Sequence, residues 1–406
     1  MAPGSHEPRP ETGALVNALK DSLNALVVCL SHSWGGLEQV AASDTLDLAA
    51  QGLRVKVLCL EGSPLHENLS KHQDAGAKLN VVPLDYRPRE YFDLKLRKDL
   101  QRMVSEGINL IHSHQTSLLG SISPWLWNSP HVGLFASRQV MFRHDLRNFF
   151  HQTIFGRLDA LLVMSQTLRE NAVATHPIKE RRIRVVNLGL DFDLFDPERV
   201  DAKKQRQLWG ADEDTIVVGL VGRIDPAKGQ ATLIRAAAGL LKSKKPNEKL
   251  KFVIVGEETL GSSSEHLGEL KAMVDQFRIQ ENVVFAGYQE NIPEVMRAFD
   301  VFVMPSKQES FGLVAIEAMA MECPIVISRG GSAKEIVGNE EFGLMMRPED
   351  AFDLQGRLRH LLDRPLDRVE MGRRARAHVM AFYDRKVRLN LTLALYERSL
   401  RLRGAL

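Results

Sequence analysis

The sequence predicts an α/β protein of two doubly wound parallel-sheet domains, Rossmann-like in build and facing a cleft. Three observations carry the prediction. Short apolar runs recur at regular distance along the chain, segments of helical spacing lie between them, and a polar stretch near the middle interrupts the rhythm before it restarts. Strands apolar on both faces, alternating with helices, call for a parallel sheet covered on both sides.

The elements follow in order. Residues 1–22, "MAPGSHEPRPETGALVNALKDS", are polar and Pro-rich, and read as a flexible tail rather than a secretory leader or a membrane span. The first domain, 23–195, holds the strand runs "ALVVCLS", "RVKVLCL", "LNVVPL", "INLIHSH", "HVGLFAS", "DALLVMS" and "RIRVVNLG". Leu37, Val40, Ala41 and Leu48 mark one face of its first covering helix, which Gly52 stops. Residues 196–214 read as a linker, and the second domain, 215–380, restarts with "TIVVGLVG", "KFVIVG", "NVVFAG", "VFVMPS" and "PIVIS". The tail 381–406 reads as helix. The halves repeat an architecture, not a residue pattern.

With 406 residues, 44% hydrophobic, the chain can bury the cores of two domains. Its formal charge of +2 argues against a dedicated nucleic-acid binder. Cys29, Cys59 and Cys323 lie in or beside apolar runs and read as reduced structural thiols, which suits a cytoplasmic protein. No His/Cys cluster has metal spacing, and Asp191 and Asp193 of "LDFDLFD" read as turn formers, so no metal site is expected.

The loops after strands are the informative places, because open α/β sheets bind ligands at the carboxyl ends of their strands. "SHSWGGLEQ" sets Gly35 and Gly36 before a helix, which suits either an anion at the helix N-terminus or a tight turn. "GLVGRIDPAKG" places Arg223 and Lys228 on one short loop, suited to a diphosphate or to a solvated surface. In "PSKQESFGLVAIEAMA" Glu309 and Glu317 flank a Ser-Phe-Gly turn, Ser310 to Gly312. A helix opening near Gly312 separates the two carboxylates by at most roughly 12 Å, comparable to a folded nucleotide sugar. The N–H groups of Phe311, Gly312 and Leu313 can then meet phosphates between them. That spacing favours recognition over two-carboxylate hydrolysis.

Taken together, "ESFGLVAIEAMA", "GRIDPAKG" and "WGGLEQ" resemble the retaining, nucleotide-sugar-dependent glycosyltransferases of family 4, which have the GT-B fold. The resemblance runs from about Ala25 to Arg398, with "INLIHSHQ", "DALLVMSQTLRE" and "RIRVVNLGLDFDLFDP" falling in family order. At Leu188 the chain departs from a common Asn-Gly pair. The resemblance implies that Arg223 and Lys228 neutralise the leaving diphosphate, Glu309 contacts the transferred sugar and Glu317 binds ribose. Gly35 and Gly36 would close over the diphosphate from the other domain, and Gly256 and Gly287 would pass close to the nucleotide or form plain strand-to-loop turns. His114 would stand near sugar and acceptor or else cap the strand end, with His112 pointing into its domain. Arg138 could hold an acceptor group or form an interdomain ion pair. The last helix would cross back to the first domain.

The expected substrates are a UDP-, GDP- or ADP-sugar and a glycan or glycolipid acceptor, without a metal cofactor. A sugar-nucleotide epimerase of the same fold and a catalytically silent sugar- or nucleotide-binding protein are the rival readings. "QVMFRHDLRNFFHQTIFGR" interleaves Phe142, Phe149, Phe150 and Phe155 with Arg143, Arg147 and Arg157, as in a helix resting on acidic lipid, in a cover for the sheet or in an acceptor pocket.

Overall fold

The computed structural model describes residues 12–73, 78–142, 144–258, 265–307 and 309–406. They fall into two compact units: the described residues up to 188 together with 385–406, and the described residues from 189 to 384.

The first unit holds β1 (Asn24–Cys29), β2 (Arg54–Leu60), β3 (Leu79–Leu84), β4 (Leu110–Ser113), β5 (Gly133–Arg138), β6 (Ala160–Val163) and β7 (Ile183–Val185). They pair in parallel in the order β3-β2-β1-β4-β5-β6-β7. The second unit holds β8 (Thr215–Val221), β9 (Lys249–Val255), β10 (Val283–Gly287), β11 (Val301–Met304), β12 (Ile325–Ser328) and β13 (Leu344–Met346), in parallel order β10-β9-β8-β11-β12-β13. β1 is buried from Ala25 to Cys29 and β11 throughout, as strands covered on both faces must be. Cys29 and Cys59 sit opposite each other in register, and they and Cys323 are buried free thiols.

Three expectations are corrected. Residues 12–19 of the expected tail form a helix whose Leu15 and Leu19 are buried in the first unit's core, while residues 1–11 lie outside the described residues. The expected linker 196–214 belongs to the second unit. Its segment Lys203–Leu208 is helical, Trp209 stacks on Phe299 at 5.3 Å, and Arg206 bonds the Ala298 carbonyl and Asp300. The C-terminal run is two helices, Pro365–Phe382 and Arg385–Leu402, and the chain leaves the second unit between them, at Asp384 rather than at 380.

Candidate active site

In the second unit the strand order reverses between β8 and β11, so the loops that follow them flank a topological switch point at the carboxyl edge of the sheet. The loop after β8 is tightly built. Asp225 accepts hydrogen bonds from the Ala227 N–H at 2.9 Å and from Arg223 at 2.8 Å, and the side-chain amide of buried Gln230 donates to the Arg223 carbonyl at 2.8 Å. Gly229 has φ +77°, and a Cβ there would overlap the Pro305 carbonyl at the end of β11. The Lys307 N–H donates to the Ala227 carbonyl at 2.9 Å, fastening one loop to the other.

Across this switch point Lys228 Nζ meets Glu309 Oε2 at 2.9 Å. The loop after β12 supports Glu309 from behind. The Ser332 N–H donates to the Glu309 carbonyl at 3.3 Å, Ser332 Oγ donates to the Phe311 carbonyl at 2.6 Å, and a Cβ at Gly331 (φ +52°) would overlap the Glu309 carbonyl. Ser310 precedes Phe311, whose buried ring lies 5.9 Å from Tyr383. Gly312, in the left-handed region at φ +86°, turns the chain into the helix Leu313–Ala320, whose start carries no side-chain cap. Glu317 lies on that helix, mostly buried and without a side-chain hydrogen bond among the described residues, and burial pushes its carboxyl up to about 7. Gly256, at φ +135°, lies so close to the Gly222 carbonyl that no Cβ fits, and its N–H donates to the Gly287 carbonyl at 2.8 Å. Arg223, Lys228, Gly256, Gly287, Glu309, Phe311, Gly312, Leu313 and Glu317 therefore gather along one edge of one sheet.

The first unit has its own switch point, between β1 and β4. Gly35 and Gly36 follow β1 and open the helix Gly36–Ala50. Of the two readings for Gly35 and Gly36, an anion at the helix start or a tight turn, the contact at Gly35 suits the turn, since its N–H donates to the Glu38 carboxylate at 2.8 Å. That carboxylate takes the N–H of Gly35, one of the donors at the helix start. Gln115 clamps the ends of β1 and β4, accepting from the Leu30 N–H at 2.6 Å and donating to the Leu30 carbonyl at 3.2 Å.

His114, just beyond β4, is buried, and neither of its ring nitrogens has a hydrogen-bond partner among the described residues. Burial is the main cause holding it neutral, pushing it down to about 4, although Asp44 Oδ2 stands 3.7 Å from Nε2. Asp44 is spent on Arg388, which it accepts in bidentate fashion at 2.6 Å and 2.6 Å. His112 does point inward, with Nδ1 at 2.6 Å from the Tyr396 hydroxyl and Nε2 at 2.8 Å from Ser137 Oγ, and it stacks on His114 at 4.6 Å.

Arg138, at the end of β5, bonds the Val140 and Met141 carbonyls and Thr116 Oγ1, all in its own unit, and lies over the Phe142 ring at 4.4 Å. The expected lipid-facing run divides. Phe155 is buried, and Arg157 is buried too, donating to the Leu126, Ser129 and Val132 carbonyls. Arg143 lies outside the described residues. Phe149, 84% exposed, and Phe150 remain on the surface, where Phe150 meets Tyr91 at 5.7 Å and Phe92 at 5.8 Å.

Asp191 accepts from the Asp193 N–H at 3.0 Å, a turn contact. Among the described residues no group of His, Cys, Asp and Glu could hold a metal ion, and no helix is long and apolar enough to cross a membrane. The sequence reading missed Asp225, Gln230 and Ser332, which shape the second unit's loops, and Asp44 and Arg388, which sit beside His114. Asp225 had a signal in its Asp-Pro turn. Asp44 and Arg388 are 344 residues apart and had none.

Residues 34–194 match Glycosyltransferase Family 4, and residues 201–378 match Glycosyl transferases group 1. A D-inositol 3-phosphate glycosyltransferase of Corynebacterium jeikeium is 32% identical over 298 residues, 68% of this chain and 70% of that protein. A glycosyltransferase of Rickettsia africae superposes with a TM-score of 0.81 at 17% identity, covering 94% of this chain and 99% of that one. HepE of Anabaena, solved in complex with UDP, gives 0.77 at 21% identity over 93% and 100%. These likenesses span the same two sheets whose switch-point loops carry the residues above, and the chain belongs to the group 1 glycosyltransferases of GT-B fold.

Proposed function

We propose that the protein transfers a sugar from a nucleotide diphosphate donor to a hydroxyl of an acceptor, with retention at the anomeric carbon and without a metal ion. The observation that supports this most is the Lys228–Glu309 pair joining the loops on either side of the second unit's switch point, with Arg223 on the same loop. An ammonium has three donors, and Glu309 occupies one, so Lys228 can hold a phosphate oxygen while it orients Glu309 toward sugar hydroxyls. Arg223 adds a forked donor to the same diphosphate. Glu317, on the helix that follows, takes the ribose hydroxyls.

In the reaction the bond between the anomeric carbon and the diphosphate oxygen breaks, and its electron pair leaves with the diphosphate. The acceptor oxygen bonds the anomeric carbon from the same face, and its proton passes to the diphosphate. Arg223 and Lys228 stabilise the negative charge that grows on the leaving group. His114 is neutral but its ring is wholly buried beside Asp44, so it supports the first unit's carboxyl edge from beneath and does not itself reach a sugar hydroxyl. Arg138 suits an acceptor that carries an anionic group. The acceptor is a glycan or glycolipid; the name of the Corynebacterium relative favours a phosphorylated polyol as the second reading.

Tyr91, Phe92, Phe149 and Phe150 form an exposed aromatic surface that suits contact with a membrane interface. Equal sedimentation of wild type and Phe92→Ser/Phe149→Ser with lipid vesicles would remove that contact. The function itself is tested by incubating UDP-, GDP- and ADP-sugars with and without acceptor extract while following free nucleoside diphosphate. Acceptor-dependent release, with a product of unchanged anomeric configuration by NMR, is the expected result. Release of a changed sugar nucleotide without acceptor would point to an epimerase instead.

A further inference from the structure

At the amino ends of β5 to β7, the opposite edge of the first sheet from Gly36 and His114, a cavity of about 330 Å³ is lined by Arg181, Arg182, Arg184 and Arg398 and by one carboxylate, Asp159. Asp159 is already spent. It accepts from the Leu134 N–H at 2.9 Å and from Ser399 Oγ at 2.8 Å, and it pairs with Arg403. Arg182 donates to the Gly156 and Leu158 carbonyls at 2.6 Å and 2.9 Å. Arg181, Arg184 and Arg398 have no ion pair or side-chain hydrogen bond among the described residues.

Arg184 is half-buried, on β7. Burial, then the like charges of Arg398 and Arg169, work against its guanidinium. Arg181 and Arg398 are exposed and solvated, so half-buried Arg184, beside Phe135 and Leu395, is the guanidinium whose burial and like charge a bound anion would offset. Guanidinium forks match phosphate oxygens in bidentate fashion, and several converging forks favour a multiply charged group over a single carboxylate.

We propose that this cavity is a second anion site, which takes a phosphate-bearing ligand of charge −2 or greater through Arg181, Arg184 and Arg398. It is separate from the donor loops. A free phosphate compound and a phospholipid headgroup share this chemistry. The ligand would join β7 to the helix Arg385–Leu402, the same helix whose Arg388 and Tyr396 hold Asp44 and His112 beside His114.

The test titrates the full chain calorimetrically with inorganic pyrophosphate in an Arg223→Ala/Lys228→Ala background, so that the donor loops do not contribute. Binding should persist there, and adding Arg184→Gln and Arg398→Gln should weaken it on the order of tenfold or more. Arg398 is exposed, so Arg398→Gln alone folds and should weaken binding as well, whereas Arg184→Lys should keep part of it. Cosedimentation with phosphatidylglycerol vesicles, compared with phosphatidylcholine, distinguishes the sources. Capture lost in Arg184→Gln/Arg398→Gln identifies a headgroup, and unchanged capture with weakened pyrophosphate binding identifies a free phosphate compound. Pyrophosphate binding abolished by the donor-loop substitutions alone, or indifferent to the cavity arginines, overturns the proposal. Nucleotide binding by Arg184→Gln/Arg398→Gln reports on the donor loops independently.

Discussion

At the scale of single residues, the charges on the second unit's loops should matter more to turnover than to stability. Lys228 and Glu309 are partly exposed, so their pair contributes at most about 1 kcal/mol to stability. Arg223→Ala or Lys228→Ala should therefore leave thermal unfolding nearly unchanged while turnover falls on the order of 10²-fold or more, read from initial rates. Near-wild-type rates in both would remove them from the reaction. Glu317 behaves differently. Its carboxyl is raised from 4.5 to about 7 by burial, so the folded chain holds a proton that the unfolded chain releases. The cost of ionising it in place begins above pH 4.5 and is complete above about 7. Without nucleotide, Glu317→Gln should be nearly neutral at pH 4.5 and stabilising at pH 8 by roughly 1–3 kcal/mol in denaturant unfolding. The same variant should bind nucleotide about tenfold or more weakly, since it loses charged hydrogen bonds to ribose. A variant no more stable at pH 8, or one with full affinity, contradicts the assignment.

At the scale of elements, backbone proximity holds the loops. A Cβ at Gly256 would overlap the Gly222 carbonyl, and φ +135° is foreign to other residues. Gly256→Ala should cost on the order of 2 kcal/mol or more and, by pushing Gly222 outward, weaken nucleotide binding along with stability. Intact stability and affinity would show that the β8 and β9 ends are free to part. Almost every strand was legible, because buried parallel strands are continuous apolar runs. β13 was not, since the three residues Leu344–Met346 are too short for a pattern. The helices Thr12–Leu19 and Lys203–Leu208 were hidden inside polar stretches, although Leu15 and Leu19 at helical spacing and the lone Trp209 were available clues. Of the candidate site, Arg223 and Lys228 could be placed because they follow a strand run, and Glu309 and Glu317 because they flank the Ser-Phe-Gly turn that opens a helix. Glu38 at the Gly35 N–H, and the Asp44–Arg388 pair, depend on tertiary neighbours that one sequence does not display.

At the scale of the whole molecule, the proposed reaction needs the loops after β8 and β11 to supply the charge that binds a diphosphate. Turnover should then persist in EDTA without added Mg²⁺ or Mn²⁺, and a reversible loss restored by a divalent ion would return Asp191 and Asp193 to consideration. The most direct test of the central claim is calorimetric titration of UDP, GDP and ADP into the full chain in metal-free buffer, beside Lys228→Ala and Glu317→Gln. At least one of the three should bind the wild type, and both substitutions should weaken it about tenfold or more. Failure of all three to bind, or binding indifferent to Lys228 and Glu317, would contradict that claim.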